Sequence, residues 1–554
     1  MLGISVAAAI IAVLVMWGPA PTSTSPGNTL RIVTSATPDS LDPSISYMAV
    51  SWQMMFNVYD GLLTYNKQPG QDGAKLVPDL ATAMPEVLDG GRVYRFTMRK
   101  GVKFAPPVNR EVMPSDIKYA MERVLRTASP GSGFYTILEG SDPVAQGKAK
   151  EISGIVVNDT DRTIEFHLTR PDATFLFVLA LQFSSAIPKG TPARDMTTEG
   201  LVAGTGPYMF KEYVPLRRIR MVRNPNFRQW TPAVPNGYID GMNIQLGVDP
   251  ENGVTLIKRN KADYLLGGIP RSKMPELLGS DEWKPHVNID SSANTSYIFM
   301  DTRRPPFNNV KMRQAINWAI DRRAMVKLTG GAGVPTSTIL PKLMPGYRDH
   351  KMYDASPNLD KAKQLVAESG VQPGKIEIWC RTTAPQPDMA VYLQGVLTDL
   401  GFTPSVKCVD PANFFTLVGN ESTHAAIGFG NWGMDFPEGS NFIDVLLNGK
   451  RITSEHSNNL SWYSGADTEI DAANRLMDQD ARNTAWGNLD EQIMKDAAWA
   501  PYSHSIAYTL TSKRTTNVES HPVYEMMFMR LRLKGTKSES GEPPAAAVPA
   551  GGGS

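Results

Sequence analysis

Apolar and polar residues along this chain follow the period of β-strands in some segments and that of helices in others. Alternating apolar residues in VYRFTMRKGVKF (93–104) and GIVVNDTDRTIEFHL (154–168) predict antiparallel hairpins. Helical spacing of apolar residues predicts helices in SDIKYAMERVLR (115–126), VKMRQAINWAIDRRAMVKLTGG (310–331) and LDKAKQLVAESG (359–370). This mixture indicates α/β and α+β lobes, and it argues against a repeat array or an all-helical bundle.

A β-α-β unit follows these helices. KIEIWC (375–380) and PSVKC (404–408) have strand composition and flank a segment with apolar residues at helical spacing that ends at Gly401. A crossover helix sets its two strands parallel and allows them to be neighbours. The two cysteines of the chain, Cys380 and Cys408, end these strands, and both a disulfide and two separate buried thiols are compatible with that placement.

Length and composition describe a large globular chain with no electrostatic attraction to nucleic acid. Its 554 residues exceed what one hydrophobic core usually holds, and 42% of them are apolar. The 56 basic and 55 acidic residues leave a net charge of +1, so we expect no nucleic-acid partner.

The two ends of the chain differ from the rest in composition. The first eighteen residues, MLGISVAAAIIAVLVMWG, carry no charge and precede a spacer rich in Pro, Ser and Thr. Residues 1–27 therefore predict a signal peptide or a membrane anchor, and an exported protein at the cell surface or in the periplasm. Residues 536–554 are small, polar and proline-rich, which predicts a flexible tail.

The stretch GNWGMDFPEGSNF (430–442) places one carboxylate, Asp435, three positions after Trp432 and next to Phe436. Its glycines and proline predict a loop. An acid with such apolar neighbours is solvated at the surface, caps a following helix, or binds a cation.

Eight stretches spread over residues 28–535 carry a common resemblance: SATPDSLDP (35–43), YDGLL (59–63), LVPDLA (76–81), FTMRKGVKF (96–104), GTGPYMFKEY (204–213), RNPNF (223–227), DTRRPPFNNVKMRQAINWAIDR (301–322) and WGMDFPEGSNF (432–442). In this order they resemble the extracellular solute-binding proteins of peptide and nickel ABC transporters, family 5, which include oligopeptide- and dipeptide-binding proteins. One such stretch would be weak evidence for the family, whereas eight stretches in the same order are a specific match.

The resemblance implies an α/β fold, a two-lobed clamshell of the periplasmic-binding-protein type (type II, cluster C), with an extra inserted subdomain. The implied parts are lobe I over 28–63, 201–291 and 503–535, subdomain II over 64–200, and lobe III over 292–502. Two strands crossing between lobes I and III would form the hinge. Ligand would lie between the lobes, where small-molecule sites commonly form.

A peptide at neutral pH offers a receptor a main chain, a terminal ammonium and a terminal carboxylate. The ammonium needs a carboxylate inside a largely dry cleft, where an unpaired charge would cost several kcal/mol. The resemblance assigns that role to Asp435 and implies that Trp432 packs on the ligand, with a core aromatic as the alternative. The residues expected to bind ligand are Asp435, Trp432, Gly433, Asn431, Met434, Phe414, Phe415, Arg381, Ser35, Ala36 and Thr37.

The carboxylate end of a peptide has one candidate partner, Arg381. Arg381 follows the first strand of the β-α-β unit and precedes a helix whose N-terminus favours anions, and a surface arginine is the alternative. Some oligopeptide binders carry an arginine three residues before the tryptophan, where this chain has Phe429. Preferred peptide length therefore stays open.

Catalytic patterns are weak in this sequence. Ser115 and Lys118 have the serine-x-x-lysine spacing of penicillin-recognising acyl enzymes, but the companion motifs are missing. A helix start explains Ser115 better. The seven histidines are scattered without a pair at ligand spacing, so we expect no metal, no cofactor and no enzyme.

These patterns together predict the extracytoplasmic substrate-binding component of an ABC importer. We expect a monomer that captures peptides between its lobes and delivers them to membrane permease subunits working with cytoplasmic ATPases. Two alternatives stay open. The same fold could bind another solute, such as a metal chelate, haem, a glycoside or an opine, or the protein could be a ligand-sensing surface receptor.

Overall fold

The computed structural model describes residues 27–127 and 129–536. The predicted signal or anchor segment and the predicted tail, apart from their residues 27 and 536, lie outside this part of the chain. Over the residues described, no helix combines the length and the apolar character needed to cross a membrane.

Strands are distributed along the whole described chain. They are β1 Thr29–Thr34, β2 Leu63–Tyr65, β3 Leu76–Pro78, β4 Glu86–Leu88, β5 Val93–Thr97, β6 Ile155–Asn158, β7 Thr163–His167, β8 Tyr208–Val214, β9 Arg218–Arg223, β10 Gly241–Gln245, β11 Tyr264–Leu266, β12 Val287–Met300, β13 Gly333–Pro335, β14 Lys375–Arg381, β15 Thr403–Val409, β16 Ile427–Gly433, β17 Trp499–Thr511, β18 Thr515–Thr516, β19 Ser520–His521, β20 Glu525–Met526 and β21 Arg532–Leu533.

Helices alternate with these strands, as expected for a mixed α/β architecture. They are α1 Ala49–Met55, α2 Pro114–Arg126, α3 Ser141–Ala145, α4 Phe175–Val178, α5 Pro250–Lys258, α6 Met274–Leu278, α7 Val310–Ala319, α8 Arg322–Leu328, α9 Leu359–Ser369, α10 Gln386–Asp399, α11 Pro411–Val418, α12 Ser440–Leu447, α13 Asp467–Asn474 and α14 Gln479–Lys495.

One large sheet runs through the molecule in the order β15-β14-β16-β12-β17-β11-β1-β10-β9-β8. The two long central strands, β12 and β17, are antiparallel partners and join the two halves of this sheet. β12 pairs with β16 on one side, and β17 pairs with β11 on the other. The β12–β17 register is irregular between Ser291 and Thr295, so the ladder is interrupted where the two halves meet. These strands have the placement predicted for the hinge.

A second sheet, β4-β5-β7-β6, stands apart from the large sheet. Its inward-facing aromatics, Tyr94, Phe96 and Phe166, are buried in one apolar core. The apolar interior of the large sheet is divided between clusters on its two halves. This arrangement agrees with two lobes and an inserted subdomain, and the domain borders given above stay predictions.

The β-α-β unit is confirmed. β14 and β15 are parallel neighbours, and α10 connects them. Cys380 and Cys408 face each other in this register and form a disulfide with a Cα–Cα distance of 4.3 Å. The structure thus selects the disulfide over two separate thiols.

Two local predictions need correction. The segment 310–331 forms two helices, because Ile320 leaves helical geometry and the Asp321 side chain accepts the N–H groups of Arg323 and Ala324 at the start of α8. The segment 93–104 contributes only β5, which pairs with β4 and β7 and forms no hairpin within the segment. The other predicted hairpin is confirmed as β6–β7.

Candidate ligand-binding cleft

Asp435 lies in a short loop between β16 and α12. The segment 430–442, predicted as a loop, is a loop only over 434–439, because Gly430–Gly433 end β16 against β12 and Ser440–Phe442 begin α12. The Glu438 carboxylate accepts the N–H of Ser440, the first residue of α12, at 2.7 Å, which satisfies one of the free N–H groups at the helix start. Among the described residues, no backbone N–H of α12 donates to the Asp435 carboxylate, so this acid does not cap the helix.

The carboxylate of Asp435 has two neutral partners. The Tyr47 hydroxyl donates to its Oδ1 at 2.6 Å, and Asn441 Nδ2 donates to its Oδ2 at 3.0 Å. The backbone N–H of Asp435 donates to Asn441 Oδ1 at 2.9 Å, which fixes the loop on the first turn of α12. Burial raises the pKa of Asp435, although both hydrogen bonds lower it. The charged form is thus only partly compensated.

Tyr47 comes from a distant part of the chain, 388 residues before Asp435. Asp39 holds the segment in place by accepting the Tyr47 N–H and the Ser51 hydroxyl, both at 2.7 Å. The Tyr47 ring also packs on Trp52 with centroids 5.8 Å apart. Asp435 therefore lies where the segment before α1 meets the β16–α12 loop.

Two cavities meet at Asp435. One of about 350 Å³ lies between α1, the central strands β12 and β17, the β19–β20 hairpin, and Gly433 and Met434, where β16 ends and the loop begins. The other cavity, of about 500 Å³, lies between α12 and the part of the chain that contains the second sheet. Trp432 and Tyr47 line it. Both volumes are in the range of small-ligand sites. Asp435 is thus placed to reach a ligand in either cavity.

Trp432 and Asn431 end the strand that leads to Asp435. The Trp432 indole N–H donates to Asn441 Oδ1 at 3.3 Å, so the ring is attached to the same amide that holds Asp435. Asn431 is exposed, and its Oδ1 accepts from Arg381 Nη2 at 3.2 Å. The predicted residues Trp432 and Asp435 therefore share one hydrogen-bonded unit.

Arg381 lies at the end of β14, as predicted. Its guanidinium carbon is 5.5 Å from the centroid of the Phe415 ring, and burial lowers its pKa. The two phenylalanines differ, since Phe415 is 42% exposed whereas Phe414 is 0% exposed inside the core of the same half. Phe414 therefore has no surface with which to contact a ligand. Neither cavity at Asp435 includes Arg381 among the described residues that line it.

The segment Ser35–Thr37 follows β1. Ser35 is exposed, and the Ala36 N–H donates to Thr34 Oγ1 at 3.1 Å, a local turn. Within the described chain, these three residues do not line the two cavities that Asp435 borders. The structure thus brings together Asp435, Trp432, Gly433 and Met434, and leaves Arg381 and 35–37 farther out.

Several cleft residues were not predicted from the sequence. They are Tyr47 and Asn441, which hold Asp435, and Gln53, Asp290 and Glu525, which line the smaller cavity. Only Asn441 had a local signal, as a polar residue six positions after Asp435 in the resembling stretch. The others come from segments with no sequence motif of their own.

Comparisons with known proteins agree with this architecture. The family model for bacterial extracellular solute-binding proteins, family 5 Middle, matches residues 75–454. Heme-binding protein A of Haemophilus influenzae is 26% identical over 528 residues, which cover 90% of this chain and 91% of that protein. Probable di/tripeptide-binding protein 5 of Pseudomonas aeruginosa is 25% identical over 533 residues, covering 91% of this chain and 96% of that protein.

A solved structure confirms the fold. Clavulanic acid biosynthesis oligopeptide binding protein 2 superposes with a TM-score of 0.83 at 24% identity, over 92% of this chain and 95% of that chain. The fold is therefore that of the two-lobed binding proteins predicted from the eight stretches. Since the family model spans more than half of the sequence, this chain belongs to the bacterial extracellular solute-binding proteins of family 5.

Proposed function

We propose that this protein captures peptides in the cleft at Asp435 and delivers them to an ABC importer. Membership of an extracellular solute-binding family supports capture of a solute outside the cytoplasm. The similarity to a probable di/tripeptide-binding protein over 91% of the chain supports a peptide as that solute. Permease subunits would be the membrane partners, and the protein would act as a monomeric receptor without catalysis.

The observation that carries the proposal is the carboxylate of Asp435. It lies between two distant chain segments, has neutral hydrogen-bond partners and carries a pKa raised by burial. A terminal ammonium would neutralise it and would add donors to a group that accepts up to about four hydrogen bonds. Because only contacts stronger in the closed state favour closure, an ammonium held between Asp435 and the Tyr47 segment would help to close the lobes.

Haem is the rival ligand suggested by the name of one relative. A haem carries two propionate carboxylates. The smaller cavity is lined by Asp290, Asp435 and Glu525, and the described lining residues include no lysine or arginine. Like charges in a partly desolvated site repel, so this cavity favours a ligand with positive charge over an anionic one.

The test uses the purified full chain and a mixture of di- to hexapeptides with varied side chains. We expect native mass spectrometry to show several peptide masses on the protein, and the midpoint of thermal unfolding to rise with peptide concentration. The matched control is the same mixture with acetylated amino termini, which lacks the ammonium. We expect the acetylated mixture to bind much more weakly, because Asp435 would lose its charged partner.

Two results would contradict the proposal. Equal binding of both mixtures would exclude the ammonium contact. A single non-peptide mass that copurifies with the protein and is not displaced by peptides would support the rival solute.

A further inference from the structure

The smaller cavity at Asp435 has walls from six separate parts of the chain. α1 contributes Trp52 and Gln53, the irregular part of β12 contributes Ser292–Asn294, and β17 contributes Thr509. β11 contributes Tyr264, and the loop after β16 and the β19–β20 hairpin complete the cavity. The cavity therefore adjoins the point where the central strands join the two halves of the molecule.

Three carboxylates line this cavity, those of Asp290, Asp435 and Glu525. Among the residues described, none of them forms an ion pair, and for each the main effect on the pKa is desolvation, which raises it. The one histidine of the lining, His521, is neutral at pH 7, because burial lowers its pKa to about 3. The cavity thus holds excess negative charge that the described protein does not neutralise.

Asp290 and Glu525 face the same cavity from two different walls, β12 and the β19–β20 hairpin. Ser520 hydrogen-bonds to Asp290, and it belongs to the hairpin that carries Glu525. Burial raises the pKa of the Tyr264 phenol, which also lines the cavity, and the charges of Glu525 and Asp290 raise it further. Glu525 is an exposed residue that lines the cavity, and desolvation by the surrounding protein raises the pKa of its carboxyl group.

Gln53 provides a further polar group on this wall. It is 4% exposed, its Nε2 donates to Glu525, and its Oε1 has no hydrogen-bond partner among the described residues. A buried acceptor without a donor is unfavourable, because it has lost its hydrogen bonds to water and has not replaced them. Asp290 and Glu525 each accept one hydrogen bond, from Ser520 and Gln53, so their remaining acceptor sites and the unpaired Gln53 amide oxygen can still take donors from a ligand.

We propose that this cavity is a subsite for a cationic side chain of the bound peptide, with Asp290 and Glu525 as its charged acceptors and Gln53 as a neutral one. The inference rests on the proposed function, because it takes Asp435 to hold the terminal ammonium. A peptide with neutral side chains brings one positive charge, which Asp435 would use. The two other carboxylates then stay available for a second cation.

The acceptors favour arginine over lysine. A guanidinium offers five N–H donors in a plane, which suits two carboxylates and an amide oxygen around one site. A lysine ammonium offers three donors and is more strongly hydrated, so it gains less from a partly dry site. The substrate class is therefore peptides with an arginine side chain, and lysine peptides come second.

The test compares peptides that differ only in charge. Di-, tri- and tetrapeptides carry arginine at each position in turn, and each has a partner with citrulline, which has nearly the same shape without the charge. Isothermal titration on the full chain should show the best arginine peptide binding at least about tenfold more tightly than its citrulline partner. This comparison needs no variant, so it does not depend on the folding of a mutant.

Variants then test whether Asp290 and Glu525 cause the preference for arginine peptides over citrulline peptides. In Asp290→Asn combined with Glu525→Gln, the ratio between arginine and citrulline peptides should fall below about threefold. Each single substitution should give an intermediate ratio, and the matched control Asp281→Asn, which removes an exposed carboxylate outside the cavity, should keep the wild-type ratio.

Each outcome decides between the two proposals. If no peptide binds, the proposed function fails and the subsite fails with it. If peptides bind with an arginine-to-citrulline ratio near one, the subsite is wrong and the proposed function stands. A tenfold preference that survives the double substitution would place the cationic contact elsewhere and would also overturn the subsite.

Discussion

Two carboxylates three residues apart in one loop have opposite environments. Glu438 is fully buried, and its Oε1 accepts from Arg482 Nε at 2.8 Å and from the Trp486 indole N–H at 2.7 Å. Asp435 is half-buried, and its two side-chain partners, Tyr47 and Asn441, are both neutral. Inside the domain Glu438 is neutralised by the Arg482 cation of the protein, whereas at the cleft Asp435 has no cationic partner among the described residues.

The difference separates a charge used for folding from a charge kept for binding. A buried ion pair is formed when the domain folds, and removing one partner leaves the other charge unpaired. An acid whose pKa is raised by burial instead makes the unliganded protein less stable above its ordinary pKa, because the charged form is disfavoured. A ligand that brings a cation reverses this effect. Substitution of Glu438 should therefore change mainly the stability of the protein, and substitution of Asp435 should change mainly its affinity for peptides.

The largest effect is expected for Glu438→Gln. The substitution keeps the size of the side chain but leaves Arg482 buried without its carboxylate, which should lower the free energy of unfolding by about 3–5 kcal/mol. Urea unfolding followed by tryptophan fluorescence measures this change. Peptide affinity of the folded fraction should stay near the wild-type value.

A second substitution distinguishes charge from packing at this position. Adding Arg482→Met to Glu438→Gln removes both members of the pair, so a large part of the lost stability should return. If the double variant is as unstable as Glu438→Gln alone, the unpaired charge is not the cause of the loss.

Asp435→Asn should show the opposite pattern. Peptide affinity should fall by about 2–5 kcal/mol in binding free energy, because the terminal ammonium loses its charged partner in the cleft. The unliganded variant should be as stable as the wild type or slightly more stable at pH 7, because the disfavoured charge is gone. Calorimetric titration and thermal unfolding of the unliganded protein measure the two quantities.

A matched control for Asp435→Asn is Asp281→Asn, which removes an exposed carboxylate. It should change neither stability nor affinity by more than about 0.5 kcal/mol. If Asp435→Asn destabilises the unliganded protein while peptides still bind, Asp435 has a structural role like that of Glu438, and the comparison between the two acids fails.

The pH dependence of affinity gives an intermediate effect. Asp435 must be charged to bind an ammonium, and its pKa in the unliganded protein lies above the ordinary value of 3.8. A bound cation lowers that pKa, so affinity should be constant near pH 7 and should fall as the pH drops through the raised pKa. The slope should reach at most about tenfold per pH unit for one proton.

The measurement uses a peptide with neutral side chains between pH 4 and 7, where its terminal ammonium stays charged. Asp290 and Glu525 also have raised pKa values, so the wild-type curve alone does not isolate one acid. The part of the pH dependence that disappears in Asp435→Asn belongs to Asp435. An identical pH dependence in both proteins would exclude this acid as the titrating anchor.

The sequence alone was sufficient to predict the features that depend on a local pattern of residues. The β-α-β unit around Cys380 and Cys408 follows from two strand-like runs and one helical run, and Asp435 could be singled out because its neighbours match a known family. The break between α7 and α8 was missed because the apolar positions continue through Ile320, while the cap at Asp321 ends the helix geometry.

The environment of the cleft acids could not be predicted from local patterns. Tyr47 reaches Asp435 across 388 residues, and Gln53 reaches Glu525 across 472. Such pairs depend on how β12, β17 and the terminal hairpin are arranged, and no periodicity in the chain encodes this. For the same reason the sequence alone did not separate Phe414, which is buried in the core, from Phe415, which is exposed.

The smallest effect is expected for Tyr47→Phe, which removes one hydroxyl donor from the Asp435 carboxylate. A hydrogen bond to a charged form lowers the pKa of an acid, so its loss should raise the pKa of Asp435 further. The midpoint of the pH–affinity curve should move upward by less than about one pH unit, which corresponds to a single hydrogen bond of roughly 1 kcal/mol. Tyr213→Phe on β8, far from Asp435 in the sheet order, is the matched control and should leave the midpoint unchanged. An unchanged midpoint in Tyr47→Phe would mean that this hydroxyl does not lower the pKa of Asp435.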